Sequence, residues 1–212
     1  MIEDKNFDLL KPENKKVIYF FLFSLLMIIL DQVTKLAIKG FDIFGFSHQG
    51  MALGESNSVI GSFLQITFIE NEGMAFGISF GAGKLFLSLF SVIASVFLCI
   101  YLNKLDKYSF WLKLGIALIL AGAVGNLIDR VFYGIIFHEA PLFYGSVIDF
   151  IQVDIPDINI FNIHYTHWPI FNVADSCVTS GVIILLIFHR KIPPFEEIFK
   201  KKITKLNENI SP

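Results

Sequence analysis

Residues 111–130 read WLKLGIALILAGAVGNLIDR. From Trp111 to Gly125 the run carries a single charge, Lys113, near its start; Asn126, Asp129 and Arg130 then close it. About 20 predominantly apolar residues is the length an α-helix needs to cross the hydrocarbon layer of a bilayer. The three closing residues are spaced i, i+3, i+4 and therefore share one helical face. Ionisable groups at membrane depth are expensive and read as functional by default. The stretch predicts a membrane helix with a polar site at its far end.

Working outward, three more segments have the length and apolarity of a span, giving four: about 17–36, 84–102, 111–130 and 169–189. The composition agrees. Apolar residues make up 54% of the 212 and charged residues only 17%, where a soluble domain carries about 25% charge. The mean hydropathy is +0.64. The 24 phenylalanines supply lipid-facing surface and core. A net charge of −2 gives no basic field for nucleic acid. Cys99 and Cys177 fall in different spans at depths about 10 Å apart, which argues against a disulfide.

Lys11, Lys15 and Lys16 before the run Val17–Leu30 imitate a secretory signal. No small-x-small site follows, only Asp31-Gln32-Val33-Thr34-Lys35, so the run reads as an uncleaved first helix. Thirteen of the 17 basic residues precede the first span, separate the second from the third, or follow the fourth. The positive-inside rule then places both termini in the cytoplasm. A single integral membrane domain over 1–212 is expected, with outer loops 37–83 and 131–168 and a cytoplasmic tail 190–212. In the first loop, Phe63–Ile69 reads as a strand of a small sheet. Gly50-Met51-Ala52-Leu53-Gly54 echoes Gly73-Met74-Ala75-Phe76-Gly77 without making a repeat. In the second loop, Phe132, Tyr133, Phe137, Phe143 and Tyr144 suit the headgroup layer and suggest an interfacial flap.

The fourth span opens Trp168-Pro169-Ile170-Phe171-Asn172-Val173-Ala174-Asp175. Pro169 suits a first helical position, which would set Asp175 about 9 Å into the helix. Asp31, Asp129, Asp149 and Asp175, with Lys35 and Arg130, thus gather at one membrane face. Two close carboxyls cannot both ionise comfortably, so they share a proton and act as a general acid and base. Asp129 has Arg130 beside it and Asp31 has Lys35 one turn on. Asp149 and Asp175 have no cation adjacent in sequence, which favours them as the pair. Asp129 and Asp154 are the next candidates. Asp154, before Ile155-Pro156, reads as a solvated acid.

Five segments resemble motifs of the bacterial lipoprotein signal peptidases (signal peptidase II). Asp31 to Lys35 resembles D-Q-x-x-K, and Asn71 to Gly77 resembles N-x-G-x-A-F-G. Gly122 to Arg130 resembles G-x-x-x-N-x-x-D-R, Gly145 to Phe150 resembles G-x-V-x-D-F, and Phe171 to Asp175 resembles F-N-x-A-D. They occur in the family's order over residues 31–175. The resemblance implies a four-helix membrane aspartyl endopeptidase with a small extracytoplasmic β-sheet cradle and a flap. Asp149 and Asp175 would be catalytic. Asp31, Lys35, Asn71, Gly73, Asn126, Asp129, Arg130, Asn172 and Ala174 would bind substrate or support the pair. The substrate would be a prolipoprotein already bearing diacylglyceryl-cysteine, cut before that cysteine in the bacterial inner membrane. Contact with membrane lipid and sensitivity to globomycin-type inhibitors are implied, and no cofactor. Arg130 and Asp149 stand 19 positions apart, with His138-Glu139-Ala140-Pro141 in the extra segment, where the family has a short connection.

Two other function classes fit less well. A transporter would relay ions through its acids, but such sites sit near the midplane of repeated halves. An assembly factor would have no use for paired acids beside asparagines. His164 and His167, spaced i, i+3, form no recognised metal motif, and no metal is expected.

Overall fold

The computed structural model describes residues 15–43, 45–73, 80–160 and 163–199. Met74 to Gly77 of the second motif, Lys5, Lys11 and the lysines from 200 onward lie outside the described residues.

Helix α1 runs Lys15–Lys39, strands β1 Gly40–Ile43 and β2 Phe46–Gln49 form an antiparallel hairpin, and β3 Ser56–Ile60 and β4 Leu64–Asn71 follow. Helices α2, Phe80–Asn103, and α3, Phe110–Ile128, come next. A π-helical turn, Asp129–Tyr133, and a single α-turn, α4 Gly134–Ile136, extend α3. Strands β5 Val147–Ile160 and β6 Ile163–His167 lead into α5, Val173–Ile187, and the short α6, Phe195–Phe199. The strand near 63–69 is present as β4, the inner neighbour of β5 in an antiparallel sheet of order β3-β4-β5-β6.

Three helices are long and apolar enough to cross a membrane: Val17–Lys39, Gly83–Asn103 and Phe110–Ile136. The outward surfaces of α1 and α2 carry exposed Leu22, Leu26, Ile29, Phe86, Phe90 and Ile93, as lipid-facing surfaces do. Helix α3 is central and packs against α1, α2 and α5. The fourth expected span, 169–189, is helical only over the 15 residues Val173–Ile187. That is shorter than the roughly 20 residues of a full crossing. Pro169 is not its first residue. Residues 168–171 are held extended against the sheet: Phe171 exchanges main-chain hydrogen bonds with Ile151 (2.7 and 3.1 Å), and Trp168 N–H donates to Val153 (2.9 Å).

The second long connection departs from the expected aromatic flap at Tyr133, while Phe132 stays exposed. Its start continues α3, and Tyr133 is buried with Phe68, Ile148 and Phe150 beneath the sheet. Asp154 stands on β5 opposite His167, exposed as expected of a solvated acid but in a strand rather than a loop. A second core, built on Phe20, Leu102, Leu105, Leu112 and Ile116, closes the opposite end of the bundle. Cys99 and Cys177 are both free thiols.

Candidate active site

The polar residues meet where α1, α3 and α5 converge under the β4–β5 pair. Helix α5 begins with Asn172, whose side-chain Oδ1 accepts from the Asp175 N–H (2.9 Å) while Asp175 Oδ2 accepts from the Asn172 N–H (3.2 Å). This capping box satisfies two orphan donors of the first turn. It also places Asp175 in that first turn, nearer the membrane face than a start at Pro169 would put it.

Strand pairing delivers Asp149. Asn71 on β4 pairs with Val147 and Ile69 with Asp149, so Asn71 and Asp149 are diagonal neighbours on one sheet face. Asn71 Nδ2 donates to Asp149 Oδ2 at 2.9 Å, and Asn71 Oδ1 accepts from Gly73 N–H at 2.9 Å. Asn71 is therefore both a turn residue and a site residue. Gly73 holds that turn with φ +75°, where a side chain is strained.

Below the pair lies a buried charge cluster. Lys35 Nζ is 2.8 Å from Asp31 Oδ2, 2.7 Å from Asp129 Oδ2 and 3.0 Å from Asn126 Oδ1. Lys35, Asp31 and Asp129 are all at most 1% exposed. The α1 pair at i, i+4 thus forms as expected. Asp129 does not rely on Arg130. Consecutive helical side chains point apart, and its cation arrives from α1. Arg130 Nη1 instead donates to Ser91 of α2 at 3.4 Å, within electrostatic reach of Asp129, Asp149 and Asp175.

Asp31 Oδ1 accepts from the Ala174 N–H at 2.8 Å, which makes Ala174 a main-chain partner. Asp129 Oδ2 also accepts from the Ile148 N–H at 3.2 Å. Asn126 Nδ2 donates to Asp175 Oδ1 at 2.8 Å, and Asn172 Nδ2 to Asp149 Oδ1 at 2.7 Å. Every residue expected at the site belongs to this network except Gly73, one bond removed, and Arg130, on its edge.

Two members are new. Gln32 Nε2 bridges Asp31, Asp129 and the Gly125 carbonyl, and Tyr133 donates to Gln32 Oε1 at 3.0 Å. Gln32 lies inside the D-Q-x-x-K segment, which was signal enough. Tyr133 gave only its aromaticity, which suits a headgroup layer equally well.

Asp149 and Asp175 line one cavity of about 540 Å³, with Asn71, Trp168 and Phe171 in its wall and Ser176, Thr179 and Ser180 running down α5. Burial, and then the carboxyl of Asp175, push Asp149 up to about 6, against the hydrogen bonds from Asn71 and Asn172 and the charge of Lys35. Such an arrangement can hold one shared proton beside a space open to water and substrate. Among the described residues, no group of His, Cys, Asp and Glu is arranged to hold a metal.

Residues 23–190 match the family model of signal peptidase (SPase) II. The lipoprotein signal peptidase of Pelodictyon phaeoclathratiforme (strain DSM 5477 / BU-1) is 38% identical over 178 residues, 84% of this chain and 93% of that protein. That of Amoebophilus asiaticus (strain 5a2) is 37% identical over 194 residues, 83% of this chain and 79% of the relative. A bacterial membrane enzyme solved by the in meso method at 1.9 Å superposes with a TM-score of 0.61 at 34% identity, over 82% of this chain and 94% of that one. A second, at 2.3 Å, gives 0.57 at 34% identity, over 87% and 92%. With its apolar helices and these neighbours, this is a multi-pass membrane protein, and it belongs to the signal peptidase II family of peptidases.

Proposed function

We propose that the chain is an aspartyl endopeptidase that removes the signal peptide from diacylglyceryl-modified prolipoproteins, cutting before the lipidated cysteine, with Asp149 and Asp175 as the catalytic pair. The observation that carries this reading is that both acids line one cavity while amides, not cations, contact their oxygens. Asp31 and Asp129 instead share Lys35 and are committed to structure.

The pair enters with one proton between its two carboxyls. The ionised member takes a proton from water as the water oxygen attacks the scissile carbonyl carbon. The protonated member gives its proton to the carbonyl oxygen, forming a gem-diol. The first acid then protonates the cysteine nitrogen while the second takes a proton from one hydroxyl. The C–N bond breaks, leaving a carboxylic acid and a free amine, and the pair regains its single proton. No metal or covalent intermediate is needed. Asn71, Asn126 and Asn172 hold the carboxyls in place; the Lys35 cluster fixes α1, α3 and α5 around them.

Topology supports the same reading. The basic residues favour cytoplasmic termini, so the acids sit at the outer face of a bacterial inner membrane. There an acylated substrate can reach them from the lipid, as can a globomycin-type cyclic peptide. Asp154, exposed on β5, stands outside the cavity lining and is set aside as a catalytic acid.

The test is cleavage of purified diacylglyceryl-modified prolipoprotein, read as a gel shift, by the wild type, Asp149→Asn and Asp175→Asn. The wild type should cut. Each variant should lose about 10²–10⁴-fold, the usual worth of a general acid or base, while keeping its unfolding midpoint and substrate binding. Cleavage by folded Asp149→Asn at the wild-type rate would overturn the assignment.

A further inference from the structure

At the end of α3 remote from the acids, a second cavity opens between α1 and α3. It encloses about 710 Å³ and is walled by Tyr19, Phe20, Phe23, Tyr108, Phe110 and Lys113. Lys113 lies 13 residues before Asn126 on α3, so about 20 Å of helix separates the two sites.

Lys113 is only 5% exposed. Its ammonium donates to the main-chain carbonyl of Asp106 at 3.2 Å and lies 5.5 Å from the centre of the Phe20 ring. Among the described residues, no carboxylate lies within ion-pairing distance of it. An ammonium has three donors, and a buried charge is costly unless it is paired. Lys113 lines the cavity with one hydrogen bond and one ring contact, beside Asp106, whose Oδ1 is buried without a hydrogen-bond partner. Glu197 of α6 is within electrostatic reach of Tyr108, a wall residue.

Two independent features point to the same kind of ligand. Ser109, the N-cap of α3, makes no side-chain cap bond, so the first-turn N–H groups and the positive end of the helix dipole receive no acceptor from it. The walls themselves belong to lipid-facing surface: Tyr19 and Phe110 are 65% and 57% exposed. Cationic clefts between membrane helices at this kind of depth hold anionic headgroups.

We propose that this groove binds one anionic phospholipid, its phosphodiester against Lys113 and the N-terminus of α3, and one acyl chain along the aromatic wall. The site requires only that the chain sit in a bilayer, so it stands or falls apart from the catalytic assignment.

The test uses full-length protein in nanodiscs, with native mass spectrometry counting retained lipid. The probes are phosphatidylglycerol, phosphatidylcholine and diacylglycerol of identical chains. The wild type should retain phosphatidylglycerol about fivefold over phosphatidylcholine, the preference one near-surface lysine supplies, and should retain little diacylglycerol. Lys113→Met should erase the preference, Lys113→Arg should keep it, and Lys104→Met, an exposed lysine between α2 and α3, should leave it unchanged. Equal retention of the three lipids by the wild type overturns the proposal, even if Lys113→Met fails to fold. So does a folded Lys113→Met that keeps the preference, or a Lys104→Met that loses it.

Discussion

The side-chain amide of Asn172 donates to that of Asn126 at 3.1 Å, and this bond joins the two halves of the carboxyl pair. Asn126 holds Asp175, and Asn172 holds Asp149. Both asparagines are buried, at 8% and 0% exposure, so neither amide has water as a substitute partner. A hydrogen bond to a charged group is worth about 1.5–3 kcal/mol, or roughly 10–100-fold in rate. Asn126→Ala and Asn172→Ala should each lower kcat by that factor. Because the two amides act as one unit, the double variant should cost little more than the worse single one. Fully additive losses in the cycle would mean that the amides work independently.

The elevated Asp149 gives a pH signature. Its folded pKa of about 6 stands above the ordinary 3.8 through burial first and the Asp175 carboxyl second. A raised acid binds its proton more tightly in the folded state. The stability it contributes is complete below pH 3.8 and is lost as pH rises through about 6. The unfolding midpoint of Asp149→Asn should therefore match the wild type near pH 4 and exceed it near pH 8. For activity, the alkaline limb reports loss of the shared proton, a property of the pair. The kcat/KM profile of the free enzyme should fall above about pH 6. In kcat the limb should move upward, since bound substrate removes more water from the acids. A kcat/KM profile flat from pH 5 to 8 would contradict a shared-proton pair.

Much of this site could be read before folding because its residues lie on helices and a strand with fixed periods. Asp31 and Lys35, one turn apart, paired as the spacing required. Asn126 and Asp129, at i, i+3, both reach Lys35. What stayed hidden depended on contacts between elements distant in sequence. Only the bonds of Phe171 with Ile151 show why α5 starts at Val173 and not at Pro169. Only the approach of α1 to α3 shows that Asp129 takes Lys35 and leaves Arg130 to Ser91. Tyr133 illustrates the limit. The same aromatic side chain suits a headgroup layer or a buried hydrogen bond to Gln32, and the π-helical turn that aims it inward is a tertiary feature.

Lys35 pairs with two carboxylates at once, and none of the three is exposed to solvent. Removing one member of a buried ion cluster strands the others, at about 3–5 kcal/mol. Lys35→Met should lower the unfolding midpoint more than any single change at Asp149 or Asp175. Lys39 offers the contrast. It pairs with Glu70 and, at 2.7 Å, with Glu139, whose side chain is 49% exposed. Glu139→Gln should cost at most about 1 kcal/mol and fade with added salt. Thermal melts in detergent at low and high ionic strength separate the two cases. A mild Lys35→Met would show that water reaches the cluster.

The seam between α3 and α5 sets how far apart the halves of the site stand. A Cβ at Gly122 would sit 2.2 Å from the Ala174 carbonyl oxygen and 2.5 Å from Val178 Cγ2. Backbone cannot move aside, so Gly122→Ala must push α5 away from α3, and Asp175 is the residue after Ala174. Overpacking of this kind costs about 1–3 kcal/mol. It should also draw Asp175 away from Asn126, so cleavage should fall well beyond the loss of folded protein. Gly115 lies two turns earlier on the same seam, where an added Cβ meets chiefly the flexible Leu185 side chain, at 2.7 Å from Cδ2. Gly115→Ala should therefore cost less stability and spare the cleavage rate of the folded fraction. Measuring melting and cleavage on both variants distinguishes a seam that merely holds the bundle together from one that also sets the carboxyl spacing. If the two alanines lower cleavage equally, helix spacing near Gly122 has no special bearing on the pair.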